Sequence, residues 1–239
     1  MMLRAKKSLS QNFLIDKNVC IKILNYCKIK NNTVLEIGPG YGFMTDFILK
    51  NNPKKLYLVE KDIHLLKFLE EKYKGEENVK IIGEDILKFD LKSFKNLIVV
   101  SNLPYNISTK IILYLFNFNK NISEMTFMIQ KEVALKFDYS LPNMNKYKFL
   151  TKIVSSYALC FHVSSNVFLP KPKVTSSVVK FNLLKNVEIN KAKKFSKQLF
   201  KNIRKKISNN IKLRKKTPLL DKRVNELTIE DLLSIYNLF

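Results

Sequence analysis

Along residues 1–182, short apolar runs alternate with stretches in which apolar side chains recur every three or four positions. Val34-Leu35-Glu36-Ile37 reads as a buried strand, and Tyr41 to Lys50 as a helix opening after a cluster of glycines. Lys55 to Glu60 is the second strand, and Ile63, Leu65, Leu66 and Leu69 then recur at helical spacing. Val79 to Ile82 forms a third strand, Leu97 to Ser101 a fourth and Met125 to Ile129 a fifth, with a helix over Ile107 to Phe118. This alternation predicts an α/β fold, a mostly parallel sheet covered by helices on both faces. Tyr157 to Val163 and Ser177 to Phe181 follow one another with no helical pattern between them, which predicts an antiparallel pair closing the sheet.

The character changes after residue 182. Residues 185–216 hold 13 basic side chains against one acid, Glu188. Helical spacing continues through Phe195, Leu199, Ile203 and Ile207. The expected organisation is therefore two domains: 1–182, the α/β domain, and 183–239, a small basic helical domain.

With 239 residues and 46% hydrophobic side chains, the chain is long and apolar enough for a sizeable core. Its net charge of +23 points to a polyanionic partner, nucleic acid or an anionic membrane face. Only four of the 43 basic residues are arginine, the codon bias of an AT-rich genome, so mutational drift is the competing source of the charge. Cys20, Cys27 and Cys160 are scattered and the two histidines, His64 and His162, are far apart, so neither a disulfide framework nor a metal site is expected. The basic N-terminus runs into Gln11 and Asn12, not into an apolar stretch, and Ile153 to Leu169 is too polar to span a bilayer. A soluble intracellular protein without membrane association is the expectation.

Three of the five glycines fall in Glu36-Ile37-Gly38-Pro39-Gly40-Tyr41-Gly42. A strand, such a loop and then a helix bring backbone N–H groups up to a nucleotide-like ligand. The dinucleotide fingerprint needs a glycine at its sixth position, where Phe43 stands. Glu36 beside the loop suits a ligand that carries an ammonium group and a sulfonium, S-adenosylmethionine. Glu60, ending the second strand, is placed for the two ribose hydroxyls, and Asp85, after the third, for an adenine amine.

The fourth strand runs into Ser101-Asn102-Leu103-Pro104-Tyr105-Asn106. An aromatic amine is a poor nucleophile, and methylating it needs two acceptors for its hydrogens and an in-line methyl. The Asn102 side-chain oxygen and the Leu103 carbonyl can be those acceptors. Pro104 biases Leu103 towards an extended conformation, and Tyr105 offers a ring for a flipped base.

On these residues the chain resembles the ribosomal RNA adenine N6-dimethyltransferases, and in particular the KsgA type that modifies small-subunit RNA. The resemblance covers nearly the whole chain and implies a Rossmann-like class I methyltransferase fold with a small C-terminal helical domain. Lys7-Ser8-Leu9-Ser10-Gln11-Asn12-Phe13-Leu14 is similar to the family segment that folds over the cofactor, which implies Gln11, Asn12 and Leu14 as contacts. The cofactor set implied is completed by Glu36, Gly38, Gly40, Glu60, Asp85, Ile86 and Asn102. Asn102-Leu103-Pro104-Tyr105 matches the catalytic tetrad. Phe168-Leu169-Pro170-Lys171-Pro172-Lys173-Val174 matches the later proline-rich loop, implying that Phe168 stacks on the target adenine opposite Tyr105. Gln130-Lys131-Glu132-Val133-Ala134 and a basic helix over Phe200 to Ile211 resemble the KsgA type more than the resistance-type enzymes of large-subunit RNA.

RNA contacts are thereby expected at Lys7, Lys201, Arg204, Lys205 and Lys206. The implied reaction is dimethylation of two adjacent adenosines near the 3′ end of small-subunit RNA, without a metal. The implied partner is that RNA or the assembling small subunit, with the enzyme acting as a monomer. The expected compartment is the bacterial cytoplasm, or an organellar matrix or stroma in a eukaryote. A large-subunit methyltransferase and a non-catalytic assembly or mitochondrial transcription factor on the same fold remain the alternatives. The chain departs from the family pattern at Ser10, Lys148 and Thr151, and at Ile203, where an arginine is usual.

Overall fold

The computed structural model describes residues 12–213, 215 and 217–239. The expectations at Lys7 and Gln11 lie outside them. A two-residue strap, β1 (Phe13–Leu14), leads into α1 (Lys17–Leu24), capped by Asp16, whose side chain accepts from the Val19 amide at 2.9 Å. Then follow β2 (Thr33–Ile37), α2 (Phe43–Lys50), β3 (Lys55–Glu60), α3 (Ile63–Lys72), β4 (Val79–Gly83) and β5 (Leu97–Asn102). The chain continues with α4 (Ser108–Leu115), β6 (Ile122–Gln130), α5 (Lys131–Phe137), α6 (Lys146–Val154), β7 (Ser155–Val163), β8 (Phe168–Leu169) and β9 (Ser176–Leu183). Two helices complete the described chain, α7 (Ile189–Leu199) and α8 (Ile229–Leu238).

Seven strands form one sheet in the order β4-β3-β2-β5-β6-β9-β7. The first five run parallel, and β9 enters antiparallel between β6 and β7. The expected antiparallel pair is therefore present, with its later member on the inside. Buried parallel strands read as continuous apolar runs, and in β5 the residues Leu97 to Ser101 are all fully or almost fully buried. The chain turns left from β2 to β3 and right from β2 to β5, so the strand order reverses at β2. Ligands of open α/β sheets bind in the crevice at the carboxyl ends of the strands beside such a reversal.

A buried ion pair ties the far side of the sheet to the loop after α1. Lys180 on β9 lies 2.9 Å from Glu124 on β6, and the Glu124 carboxylate also accepts from the Lys28 amide at 2.8 Å. Glu124 is 3% exposed. Lys180→Met leaves that carboxylate without its cation, and about 3 kcal/mol of stability is expected to be lost, read as a lower urea midpoint at unchanged slope.

The C-terminal segment is helical, as its pattern predicts, but its buried side chains do not form a core of their own. Phe195, Leu199, Leu232 and Ile235 belong to the same contiguous cluster as Leu35, Val99 and Phe127 of the sheet. The basic helix expected over Phe200 to Ile211 is not formed. α7 ends at Leu199, and the Asn210 side-chain nitrogen donates to the carbonyls of Leu199 and Asn202 at 3.1 and 3.0 Å. That side chain takes up helix-terminal carbonyls that a further turn would have used. Residues 201–206 are exposed in the turn that follows, and Ile203, on the apolar spacing of α7, is 52% exposed. Lys148, where the family pattern has a glycine, is buried, and its ammonium donates to the carbonyls of Leu141 and Pro142 at 2.9 and 2.5 Å, closing the loop before α6.

Candidate active site

The glycine turn after β2 brings three consecutive backbone kinks to the crevice. Gly38, Gly40 and Gly42 all have φ between 61° and 75°, a region that side chains rarely adopt. A Cβ at Gly38 would meet nothing within 4 Å, whereas at Gly42 it would lie 2.2 Å from the Tyr73 hydroxyl. That hydroxyl donates to the Gly42 carbonyl or to Asp46, at 2.8 and 2.7 Å. Lys72 adds contacts to the carbonyls of Tyr41 and Gly42 and an ion pair of 2.8 Å to Asp46. The end of α3 thus braces the outer side of the loop. No local pattern around Lys72 announces this, because the helix returns to the loop only through the fold.

The strand ends are knitted together. The Ser101 hydroxyl on β5 donates to the Ile37 carbonyl on β2 at 2.5 Å, and the Gly38 amide to the Val59 carbonyl on β3 at 2.9 Å. Between them lies a cavity of about 270 Å³, near the lower end of small-molecule sites, which begin around 300 Å³. Its walls include Glu36, Gly38 and Gly40 from the first strand end, Glu60 from the second, and Asp85 and Ile86 from the third. Asn102, Leu103, Pro104 and Tyr105 line it from the fourth, and Asn12 and Leu14 cover it from the strap. Ser101, expected to end β5, is followed by one more strand residue, so Asn102 projects from the strand terminus itself.

Phe168 is the exception among the described cofactor and catalytic expectations. Its side chain is 2% exposed, sits in the buried cluster that contains Leu14, Met44 and Met128, and is not part of the cavity wall. Leu14 pairs with Phe168 and Phe13 with Leu169 in the strap. In this arrangement the ring packs beneath the strap, outside the cavity wall.

Burial tunes the carboxylates. Glu36, 3% exposed, is pushed up to about 8, chiefly because its charge is desolvated, although the Thr45 hydroxyl donating at 2.6 Å works in the opposite direction. Glu60 is raised for the same reason, partly offset by backbone amides that include Asp62 N at 2.9 Å. Asp85 accepts from the Leu87 amide at 3.0 Å. At β5 the Asn102 amide nitrogen donates to the Asn12 carbonyl at 2.9 Å. Its oxygen is buried and has no hydrogen-bond partner among the described residues. An orphaned buried acceptor facing a cavity is costly and suits a ligand that brings a donor. Among the described residues no group of three or more His, Cys, Asp or Glu could hold a metal ion, and no helix is long and apolar enough to cross a membrane.

A reversing parallel sheet with a glycine turn and successive strand-end acids about one cavity defines the Rossmann-like methyltransferase class. Within it, the sequence pattern of the ribosomal RNA adenine dimethylases matches residues 2–239, and the chain belongs to that family. It is an enzyme, an adenine dimethyltransferase of ribosomal RNA with S-adenosylmethionine as methyl donor. The chain is 37% identical over 244 residues to the ribosomal RNA small subunit methyltransferase A of a Hydrogenobaculum species, covering 99% of this chain and 94% of that one. Two solved structures share the fold at lower identity. One is the 23S rRNA methyltransferase ErmE, with a TM-score of 0.77 at 21% identity, covering 95% and 98% of the two chains. The other is a dimethyladenosine transferase from Plasmodium falciparum, with a TM-score of 0.76 at 22% identity, covering 94% and 97%.

Proposed function

We propose that the chain dimethylates N6 of two adjacent adenosines near the 3′ end of small-subunit ribosomal RNA, acting as a monomer in the cytoplasm on the assembling subunit. The observation that carries the chemistry is the buried, unpartnered Asn102 oxygen at the end of β5. When bound, S-adenosylmethionine supplies an electrophilic methyl on a positively charged sulfur. The residues present fit it: Glu36 for the ammonium, the turn of Gly38 and Gly40 for close backbone approach, Glu60 for the ribose hydroxyls, and Asp85 with Ile86 for the adenine.

Asn102 Oδ1 and the Leu103 carbonyl accept the two amine hydrogens of the target base, holding its nitrogen lone pair towards the methyl. Pro104 fixes the turn that presents the Leu103 carbonyl, and Tyr105 forms the wall against which the flipped base rests. No strong base is required, because a proton leaves readily once the nitrogen has become cationic. The small-subunit assignment rests on the relatives' names, on the identity to them over nearly the whole chain, and on the segment Gln130 to Ala134. Primer extension on RNA from treated small subunits tests the position. Two methyls on N6 block Watson–Crick pairing, so stops are expected at two adjacent adenosines near the 3′ end. Stops elsewhere, or none, contradict the reading.

The raised Glu36 adds a pH signature. Pairing with the cofactor's ammonium needs the ionised carboxylate, so binding must displace a proton at any pH below about 8. Affinity for S-adenosylmethionine is therefore expected to rise with pH below about 8, by up to about tenfold per unit, and to fall again at higher pH, where the cofactor's own α-ammonium loses its proton. Calorimetry across pH 6–9 checks this, and Glu36→Gln is expected to bind more weakly with the slope removed.

A further inference from the structure

We propose that Thr45 is a positioning residue for cofactor binding: its hydroxyl holds one oxygen of Glu36 and keeps the carboxylate set for the ammonium of S-adenosylmethionine. The proposal rests on the assignment of that ammonium to Glu36.

A threonine inside a helix ordinarily turns its hydroxyl back to a carbonyl three or four residues earlier. Thr45 is the third residue of α2, so those carbonyls are Gly42 and Tyr41. Both are engaged from elsewhere. The Gly42 carbonyl takes the Asp46 amide at 3.1 Å and the Lys72 ammonium at 3.3 Å, with the Tyr73 hydroxyl 2.8 Å away. The Tyr41 carbonyl accepts from Lys72 at 3.2 Å. The Thr45 hydroxyl instead donates across the glycine turn, to Glu36 Oε2 at 2.6 Å. Both residues are buried, Thr45 completely. Glu36 lines the cavity and Thr45 does not, so the threonine acts on the ligand only through the carboxylate.

A donated hydrogen favours the charged form of a carboxylate, whereas burial works against it. The other charges around Glu36 act less directly. Asp46 on α2 and Glu60 on β3 oppose its ionisation. Lys72 at the end of α3 favours it, but is paired with Asp46 at 2.8 Å and contributes less than Thr45. Cys20 on α1 and Tyr73 after α3 also face Glu36. Burial pushes the Cys20 thiol up to about 12 and raises the Tyr73 hydroxyl, so neither adds a charge near neutral pH.

The first test needs no cofactor. Infrared difference spectra against Glu36→Gln isolate the carbonyl stretch of protonated Glu36, whose midpoint is expected near pH 8 in the wild type. Thr45→Val keeps the branched shape and removes the hydroxyl. Its midpoint is expected about one unit higher, and Thr45→Ser should return it to the wild-type value. An unmoved midpoint in Thr45→Val overturns the proposal, whatever the site binds.

The second test is calorimetry with S-adenosylmethionine at pH 7. One unit less ionised carboxylate makes binding about tenfold weaker in Thr45→Val, while kcat at saturating cofactor should stay within about twofold. Thr45→Ser should bind within about twofold of the wild type. In the Glu36→Gln background Thr45→Val should cost less than about twofold, because no carboxylate remains to be held. Equal losses in both backgrounds would make the effect one of packing alone and overturn the positioning role. A raised midpoint with wild-type affinity would separate Glu36 from the ammonium and contradict the assignment on which the proposal rests.

Discussion

Asn102→Ala is expected to lower the rate of methyl transfer by about 10² to 10³, the cost of removing one preorganised group that meets the reacting centre. Binding of cofactor and of RNA should change little, because Asn102 supplies one of many contacts to each. The strap makes a second substitution equally informative. Asn102→Asp keeps an acceptor towards the pocket but places its other oxygen against the Asn12 carbonyl, where the amide nitrogen now donates at 2.9 Å. Acceptor facing acceptor repels, so the aspartate variant should fail as well. Single-turnover rates with separate binding titrations check both. A wild-type rate in Asn102→Ala would remove the oxygen from the mechanism.

The basic turn after α7 is the second place where a large effect is expected. Lys201, Arg204, Lys205 and Lys206 are all exposed, and only Lys206 has a charged partner among the described residues, Asp221 at 3.1 Å and itself exposed. Such surface pairs hold a cation weakly and leave it available. Each phosphate contact contributes about 0.7–0.9 to the slope of log affinity against log salt. Replacing all four by glutamine is therefore expected to flatten the slope by about 3 and to weaken RNA binding on the order of a hundredfold at moderate salt. Methyl transfer at saturating RNA should be nearly unaffected, since these residues lie outside the cavity wall. An unchanged slope would assign the charge to codon drift.

β2, β3 and β5 were legible because they are largely buried and read as apolar runs, and the edge strand β4, partly exposed throughout, kept only the short apolar pattern Val79, Ile81 and Ile82. Once the glycine turn set the frame, Glu60, Asp85 and Asn102 followed as the next strand ends, and all of them line the one cavity. The strap was not legible as structure: two residues are too few to show a period. Its partner strand lies some 150 residues away. Phe168 shows the limit for single side chains, since an aromatic in a proline-rich loop has the same local signature whether it meets a base or fills the core. The helix expected over Phe200 to Ile211 failed for a different reason. The apolar spacing of Phe195 and Leu199 runs on through Ile203 and Ile207, but the Asn210 side chain ends the helix from eleven residues beyond Leu199. Periodicity records which faces are apolar and is blind to a cap that folds back from farther along the chain.

The measurement that tests the central claim most directly supplies labelled S-adenosylmethionine and purified protein to unmethylated small and large ribosomal subunits in parallel, followed by nucleoside analysis. Label recovered as N6-dimethyladenosine from small-subunit RNA alone is the predicted result. Label in large-subunit RNA, or none in either while the cofactor is bound, would contradict it.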